Sequence, residues 1–259
     1  MGGEIRRSQL IAPFGPGSIY IDKYAVPTVI CGLDYWFTSF SDEGPVENIE
    51  LKKSCSINEP RLQELLKIND LRQPPEYTQN SHVTELLLRR IPGHRFPRWY
   101  FNSENGRLAR FNLETVRITT EGKWKPVRFM AVCQNGHMSD FPWKEWIGCE
   151  CTSNSELSLN DSGGGDLSSI KVSCSSCKKS RNLLGALRAK SEESSSGLGS
   201  RGISCCGERP WLGEESKSRT CTEDLTGVLV NQSNVYFSKT VSSIYLPPIE
   251  ADIDVSEVV

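Results

Sequence analysis

The sequence predicts an α+β fold of short strands and few helices, with a loop-rich, cysteine-bearing subdomain in its second half. Three observations predict it: brief apolar runs bounded by Pro/Gly turns, one amphipathic helical stripe, and ten cysteines in a chain of 259 residues. That length accommodates one large domain or two small ones. The expected division is 1–130, strand-rich with a basic and aromatic segment, and 131–259, cysteine-rich and closing on a hairpin.

The mean hydropathy of −0.40 and the lack of any run approaching ~18–20 apolar residues exclude a membrane-spanning helix. Residues 1–18 carry Arg6 and Arg7 without an apolar stretch behind them, so no secretion signal is expected. Arg6 also stands where a myristoylation signal needs Ser or Thr. Cysteines in a reducing, cytoplasmic setting are more often metal ligands than disulfides. The net charge of −2 excludes a wholly basic nucleic-acid binder but not a local patch.

In chain order, Ser8–Ile11 reads as a short strand entering the turn Phe14-Gly15-Pro16-Gly17, where Pro sets φ and Gly takes positive φ. Ser18–Ile21 and Val26–Cys31 follow as paired strands. Arg61–Lys67 places Leu62, Leu65 and Leu66 on one helical stripe, with Pro60 suited to a helix start and Pro74-Pro75 closing the region. His82–Leu88 is a short helix or strand. Val116–Thr120 alternates like a strand, and Val127–Cys133 reads as a buried one. Residues 152–200 contain 15 serines, and the stretches 160–169 and 191–202 have the composition of flexible loops. Val235–Leu246 carries a strand or hairpin signal, and the last ten residues, with four acids and no base, read as a tail.

Cys174-Ser-Ser-Cys177 is a C-x-x-C knuckle, in which two thiolates and the intervening N–H groups converge on one cation. A tetrahedral Zn²⁺ needs two more ligands, and downstream these come from Cys205, Cys206 and Cys221. The expected zinc set is Cys174, Cys177, Cys205 and Cys221, with Cys206 as substitute for Cys205 and the serine-rich stretch as an inserted loop. The competing readings are a redox C-x-x-C or inert buried thiols. Cys133 and His137 form a second half-site that Cys149 and Cys151 complete by spacing. Alternatively, His137 caps a turn and Cys133 packs in the strand it ends. Cys31 and Cys55 read as ordinary small core residues, and His82 and His94 as surface histidines.

No H-E-x-x-H, nucleophile elbow or phosphate loop occurs, and Gly163-Gly164-Gly165 lacks the Lys of a P-loop. Asp140 near His137 is the one acid–base or metallohydrolase candidate. The window 89–128 holds ten Lys/Arg against three acids, interleaved with Phe96, Trp99, Tyr100, Phe101, Phe111 and Trp124. Arg89, Arg90, Arg95, Arg98, Arg107, Arg110, Lys123 and Lys125 are its candidate nucleic-acid or partner-protein surface. Core aromatics with solvated arginines are the alternative.

Several phrases together resemble the DrmB family, the zinc-binding partners of the helicase in DISARM antiphage defence. They are Arg7-Ser8-Gln9-Leu10, Phe14-Gly15-Pro16-Gly17-Ser18, Gly32-Leu33-Asp34-Tyr35-Trp36, Arg95-Phe96-Pro97-Arg98-Trp99, Asn135-Gly136-His137, Asp140-Phe141-Pro142-Trp143, Gly207-Glu208-Arg209-Pro210-Trp211-Leu212-Gly213 and Ser233-Asn234-Val235-Tyr236-Phe237. The resemblance implies a non-catalytic, zinc-stabilised subunit in the bacterial cytoplasm. It would assemble with a DrmA-like, Swi/Snf-type helicase that engages DNA. Cys174, Cys177, Cys205 and Cys221 match family cysteines.

Two departures stand out. Where the family carries a further C-x-x-C-Gly knuckle, this chain has Asn102-Ser103-Glu104-Asn105-Gly106. Amides are poor zinc ligands, so Cys133 and His137 lose the partner that the resemblance implies for them, and one zinc is expected. Family members also run to about twice this length, so a separate protein carrying the C-terminal half is a candidate partner. A stand-alone zinc-containing DNA-binding protein and a metal-dependent hydrolase using His137 and Asp140 are the alternatives.

Overall fold

Among the residues described in the computed structural model, short antiparallel strands make up four three-stranded and two two-stranded sheets. The structure describes residues 7–21, 25–41, 44–75, 91–111, 123–152, 156–189, 196–213, 220–232 and 235–244. The expected elements at His82–Leu88 and Val116–Thr120 lie outside those residues, as do Arg89 and Arg90. Within them the architecture is α+β, with few helices and many short strands.

Arg7–Leu10 is a 3-10 turn instead of the expected strand. It closes on itself, with the Ile11 and Ala12 amides both donating to the Ser8 carbonyl at 3.2 Å. Strands β1 (Ile19–Ile21) and β2 (Pro27–Ile30) pair as expected, in register Ile19↔Val29. Helix α1 (Leu33–Trp36) leads into the hairpin β3 (Thr38–Ser41) and β4 (Gly44–Glu47). Helix α2 (Ile49–Ser54) starts where the Asn48 side chain accepts from the Leu51 N–H at 3.0 Å, a standard N-cap. Strand β5 (Ser56–Ile57), helix α3 (Pro60–Leu66) and strand β6 (Leu71–Arg72) form a small unit. Helix α3 begins on Pro60 as expected, but its leucine stripe is not buried: Leu65 is 60% exposed.

Strand β7 (Gly93–Arg95) adds to β2. Strands β8 (Trp99–Asn102), β9 (Leu108–Arg110) and β10 (Trp124–Pro126) form the next sheet, in order β10-β8-β9. The expected buried strand appears as β11 (Phe129–Val132), which turns back as β12 (Met138–Asp140). Helix α4 (Trp143–Ile147) then buries Trp143, Trp146 and Ile147. Strands β13 (Leu157–Asp161), β14 (Ile170–Cys174) and β15 (Ser180–Asn182) form the sheet that ends on the knuckle. Strand β16 (Thr226–Leu229) returns to pair with β11, register Ala131↔Gly227. The stretch expected as a terminal hairpin forms no strand over its described residues 235–244. It has no partner strand there, and Phe237 and Ile244 stand 77% and 76% exposed.

The largest buried cluster joins Trp99 and Leu108 of the basic segment to Phe129, Phe141, Trp143, Trp146 and Leu183. Cys133, Cys149, Cys174, Cys205 and Cys221 belong to the same cluster. Thiols of a chain with this many polar loops are therefore concentrated where apolar burial is greatest, the reverse of a set of accessible redox cysteines.

Two candidate metal centres

Strand β11 delivers Cys133 into a tight turn to β12. The Gly136 amide donates to the Cys133 carbonyl at 3.0 Å, and the Cys133 amide to the His137 carbonyl at 3.2 Å. Gly136 holds φ at +76°, a conformation that costs an L side chain and suits glycine. His137 is thereby folded back, its Nδ1 3.4 Å from Cys133 Sγ. Two later loops reach the same place. The Cys205 amide donates to the Glu223 carbonyl at 2.7 Å, and the Gly207 amide donates to Cys205 Sγ at 3.2 Å. Asn135 Nδ2 donates to Cys221 Sγ at 3.7 Å. The result is a buried Cys₃His set, Cys133, His137, Cys205 and Cys221, whose ligand atoms all lie within 4.8 Å of one another.

The second set is built by helix α4 and strand β14. Helix α4 ends at Gly148, in the left-handed region at φ +68°, and the Cys149 amide closes back on the Lys144 carbonyl at 2.8 Å. Lys144 Nζ ties down the next stretch by donating to the carbonyls of Cys151 and Thr152. Opposite, β14 ends at Cys174. The Lys178 amide donates to the Cys174 carbonyl at 3.1 Å, with Lys178 itself at φ +60°. Cys174 Sγ lies 3.8 Å from Cys151 Sγ, and Cys177 Sγ 3.6 Å from Cys149 Sγ. Around a tetrahedral zinc with Zn–S of about 2.3 Å, sulfurs stand about 3.8 Å apart. The spacing of Cys149, Cys151, Cys174 and Cys177 matches that requirement.

Each set mixes thiols of opposite acidity. In the four-Cys set, the Cys177 amide pulls the Cys174 thiol down to about 7. The shared proton with Cys149, together with burial, pushes Cys151 up to about 12. In the Cys₃His set, burial pushes Cys205 up to about 12, while the Glu223 amide lowers Cys221. In each set one thiol is thus lowered and another raised, and the raised one must give up its proton to bind a cation.

The expected set is divided by the structure. Cys174 and Cys177 meet Cys149 and Cys151, whereas Cys205 and Cys221 meet Cys133 and His137. The pairs nest, first with last and second with third, because β16 returns to β11 and carries the Cys221 loop with it. The half-site completion of Cys133 and His137 by Cys149 and Cys151 is corrected in the same way. Cys206 is exposed and outside both sets. Cys31 and Cys55 are buried elsewhere, and burial raises Cys31 to about 12.

The turn at Asn102-Ser103-Glu104-Asn105-Gly106 is held without thiols. Asn102 Oδ1 accepts from the Glu104 amide at 2.9 Å, and Asn105 Oδ1 from the Arg107 amide at 3.0 Å. Side-chain amides here close the β8–β9 turn as Asx turns.

The basic window separates into two roles. Arg98, only 6% exposed, binds Asp140 at 2.8 Å and Glu208 at 3.1 Å, and Arg110 binds Asp140 at 3.2 Å. These arginines and Asp140 hold three chain segments together. Arg107, Lys123 and Lys125 are exposed and Arg95 half-buried, with Lys123 3.5 Å from Glu104. Phe96, Trp99 and Tyr100 are buried, and edge contacts of 5.3 and 5.4 Å run from Tyr100 through Phe111 to Trp124. Those rings pack against protein.

Fold and site together define a small antiparallel α+β protein with two nested, buried Cys/His sets that could each hold a metal ion. The chain belongs to the family described as Domain of unknown function (DUF8724), which matches residues 6–237. It is also similar to the DISARM protein DrmB of Bacillus paralicheniformis, 34% identical over 128 residues. That alignment covers 47% of this chain and 20% of the relative, so it spans about a fifth of the relative's length.

Proposed function

We propose that this chain is a non-catalytic accessory subunit of a DISARM-type antiphage defence system, acting in the bacterial cytoplasm. In this reading it assembles with a Swi/Snf-like helicase and helps it engage DNA, and each Cys/His set holds one zinc. The observation that carries the proposal is the pair of four-ligand sets set into the main core of a chain similar to a DISARM protein.

Four thiolates, or three with an imidazole, are donor sets suited to zinc. Zinc in each set would supply a tetrahedral cross-link. Cys133 and His137 would then fasten the β11–β12 turn to the loops of Cys205 and Cys221. Cys149 and Cys151 would fasten the end of α4 to β14. A subunit role is further supported by Asp140, whose two oxygens are taken by the Arg98 amide and the Arg98 and Arg110 side chains. A carboxylate so engaged is poorly placed to act as a base.

The test is a pull-down of the tagged chain from its source cell with mass-spectrometric identification, together with metal analysis. A helicase subunit and two zincs per chain are expected. A metal-free folded protein, or one that captures no helicase, refutes the reading.

A further inference from the structure

A second basic stretch surrounds the Cys174–Cys177 knuckle in sequence. From Ile170 to Lys190 the sequence holds Lys171, Lys178, Lys179, Arg181, Arg188 and Lys190 and no acid. Helix α4 inserts Trp146 beneath this stretch, 1% exposed, with its indole N–H donating to the Asn182 carbonyl at 3.0 Å. That bond places the ring against β15. The Arg181 guanidinium lies over it at 5.3 Å, and Arg201, from the 3-10 turn Gly199–Arg201, at 5.6 Å.

Two like charges on one indole repel each other. Burial against the ring and the neighbouring Arg181 charge lower the Arg201 pKa. Among the described residues no carboxylate forms an ion pair with either arginine. Glu145, next to Trp146 in α4, pairs with neither. A cation–π contact with a fixed ring confines each guanidinium and leaves N–H donors available, an arrangement that suits contact with an anion.

We propose that Arg181 and Arg201, both in cation–π contact with Trp146, form an anion site that takes the phosphodiester backbone of a nucleic-acid strand. The inference deepens the DNA-engaging role proposed above and rests on it. Trp146 is fully covered, so its ring offers no face to a base, and the site reads phosphate independently of sequence. The four-Cys set braces the site, because Cys174 ends β14 and Cys177 lies in the turn leading to β15, the strand that carries Arg181.

The test is fluorescence anisotropy of a fluorescein-labelled oligo(dT) with the full, metal-loaded chain over a range of salt. Arg181→Ala and Arg201→Ala are each expected to weaken binding several-fold and to lower the salt slope by roughly 0.7 per lost contact. Arg181→Lys, which keeps the charge without the fork, is expected to fall between wild type and the alanine variant. Lys52→Ala on α2 is expected to leave affinity unchanged, and zinc content reports that each variant is folded. Wild type that does not bind oligo(dT), alanine variants with unaltered affinity and slope, or a poly-glutamate peptide that binds more tightly than oligo(dT) would each overturn the site. Helicase capture is scored in parallel. Its failure with the wild-type chain removes the subunit reading, whereas a defect confined to oligo(dT) binding by the arginine variants belongs to the site.

Discussion

The two Cys/His sets differ in reach and in cover. Cys133, His137, Cys205 and Cys221 are all buried, and they gather residues from distant parts of the chain. Cys149, Cys151, Cys174 and Cys177 are closer in sequence, with Cys151 and Cys177 half-exposed. A cross-link that closes a long loop removes more freedom from the unfolded chain than one that closes a short loop. The Cys₃His set is therefore expected to hold the fold together, and the four-Cys set to stiffen one hairpin and the surface it carries.

The sharpest break of that comparison is Cys221→Ser. It should reduce the metal content from two zincs to one and destabilise the protein by an amount on the order of 5 kcal/mol or more, read by metal analysis and denaturant unfolding. Cys177→Ser should also remove one zinc but leave the cooperative transition in place at a smaller cost. Equal losses from the two variants would dissolve the distinction. Next in size is Arg98→Ala, beside the Cys₃His set. It leaves Asp140 and Glu208, 10% and 13% exposed, without the Arg98 cation, at about 3 kcal/mol in equilibrium unfolding.

Acidity divides the thiols within each set. Cys151 and Cys205, held near 12, must each surrender a proton when a cation binds. Metal affinity should therefore rise with pH and fall on acidification in both sets, with protons released on binding, measurable by calorimetry in buffers of different ionisation enthalpy. Cys174 carries the opposite shift. A folded-state value lowered to about 7 contributes stability that is present above the unfolded thiol value and lost as pH falls through about 7. A chromophoric chelator added between about pH 8 and pH 6 should strip the half-exposed four-Cys set first. The smallest effect is expected at the thiol-free turn, where Asn102→Ala removes the acceptor of the Glu104 and Asn105 amides and should cost about 1 kcal/mol in unfolding.

Local chemistry was readable from the residues alone. The C-x-x-C knuckle, the β1–β2 pair, the Pro60 helix start and the buried strand β11 all depend on neighbours a few positions apart. Which half-sites share a metal was not readable that way. Ligand spacing along the chain favoured joining Cys174 and Cys177 to the next cysteines downstream. Nesting instead follows from the β11–β16 pairing, a contact across most of the second half of the chain. The same limit applied to Arg98, whose charge marked it as surface. Its partners Asp140 and Glu208 lie 42 and 110 positions away, and only folding brings them within reach. Leu65 differs in the other direction: periodicity forms the stripe of α3, but burial requires a facing element, and among the described residues none covers it.

The amino-acid sequence by itself determined the α+β class, the ligand types and the half-sites, because periodicity, turn chemistry and ligand spacing act over a few residues. Tertiary structure alone decided how the half-sites pair, which arginines are structural, and where Arg181 and Arg201 meet on Trp146. Those outcomes depend on strand pairing and burial, which join residues that no local pattern relates.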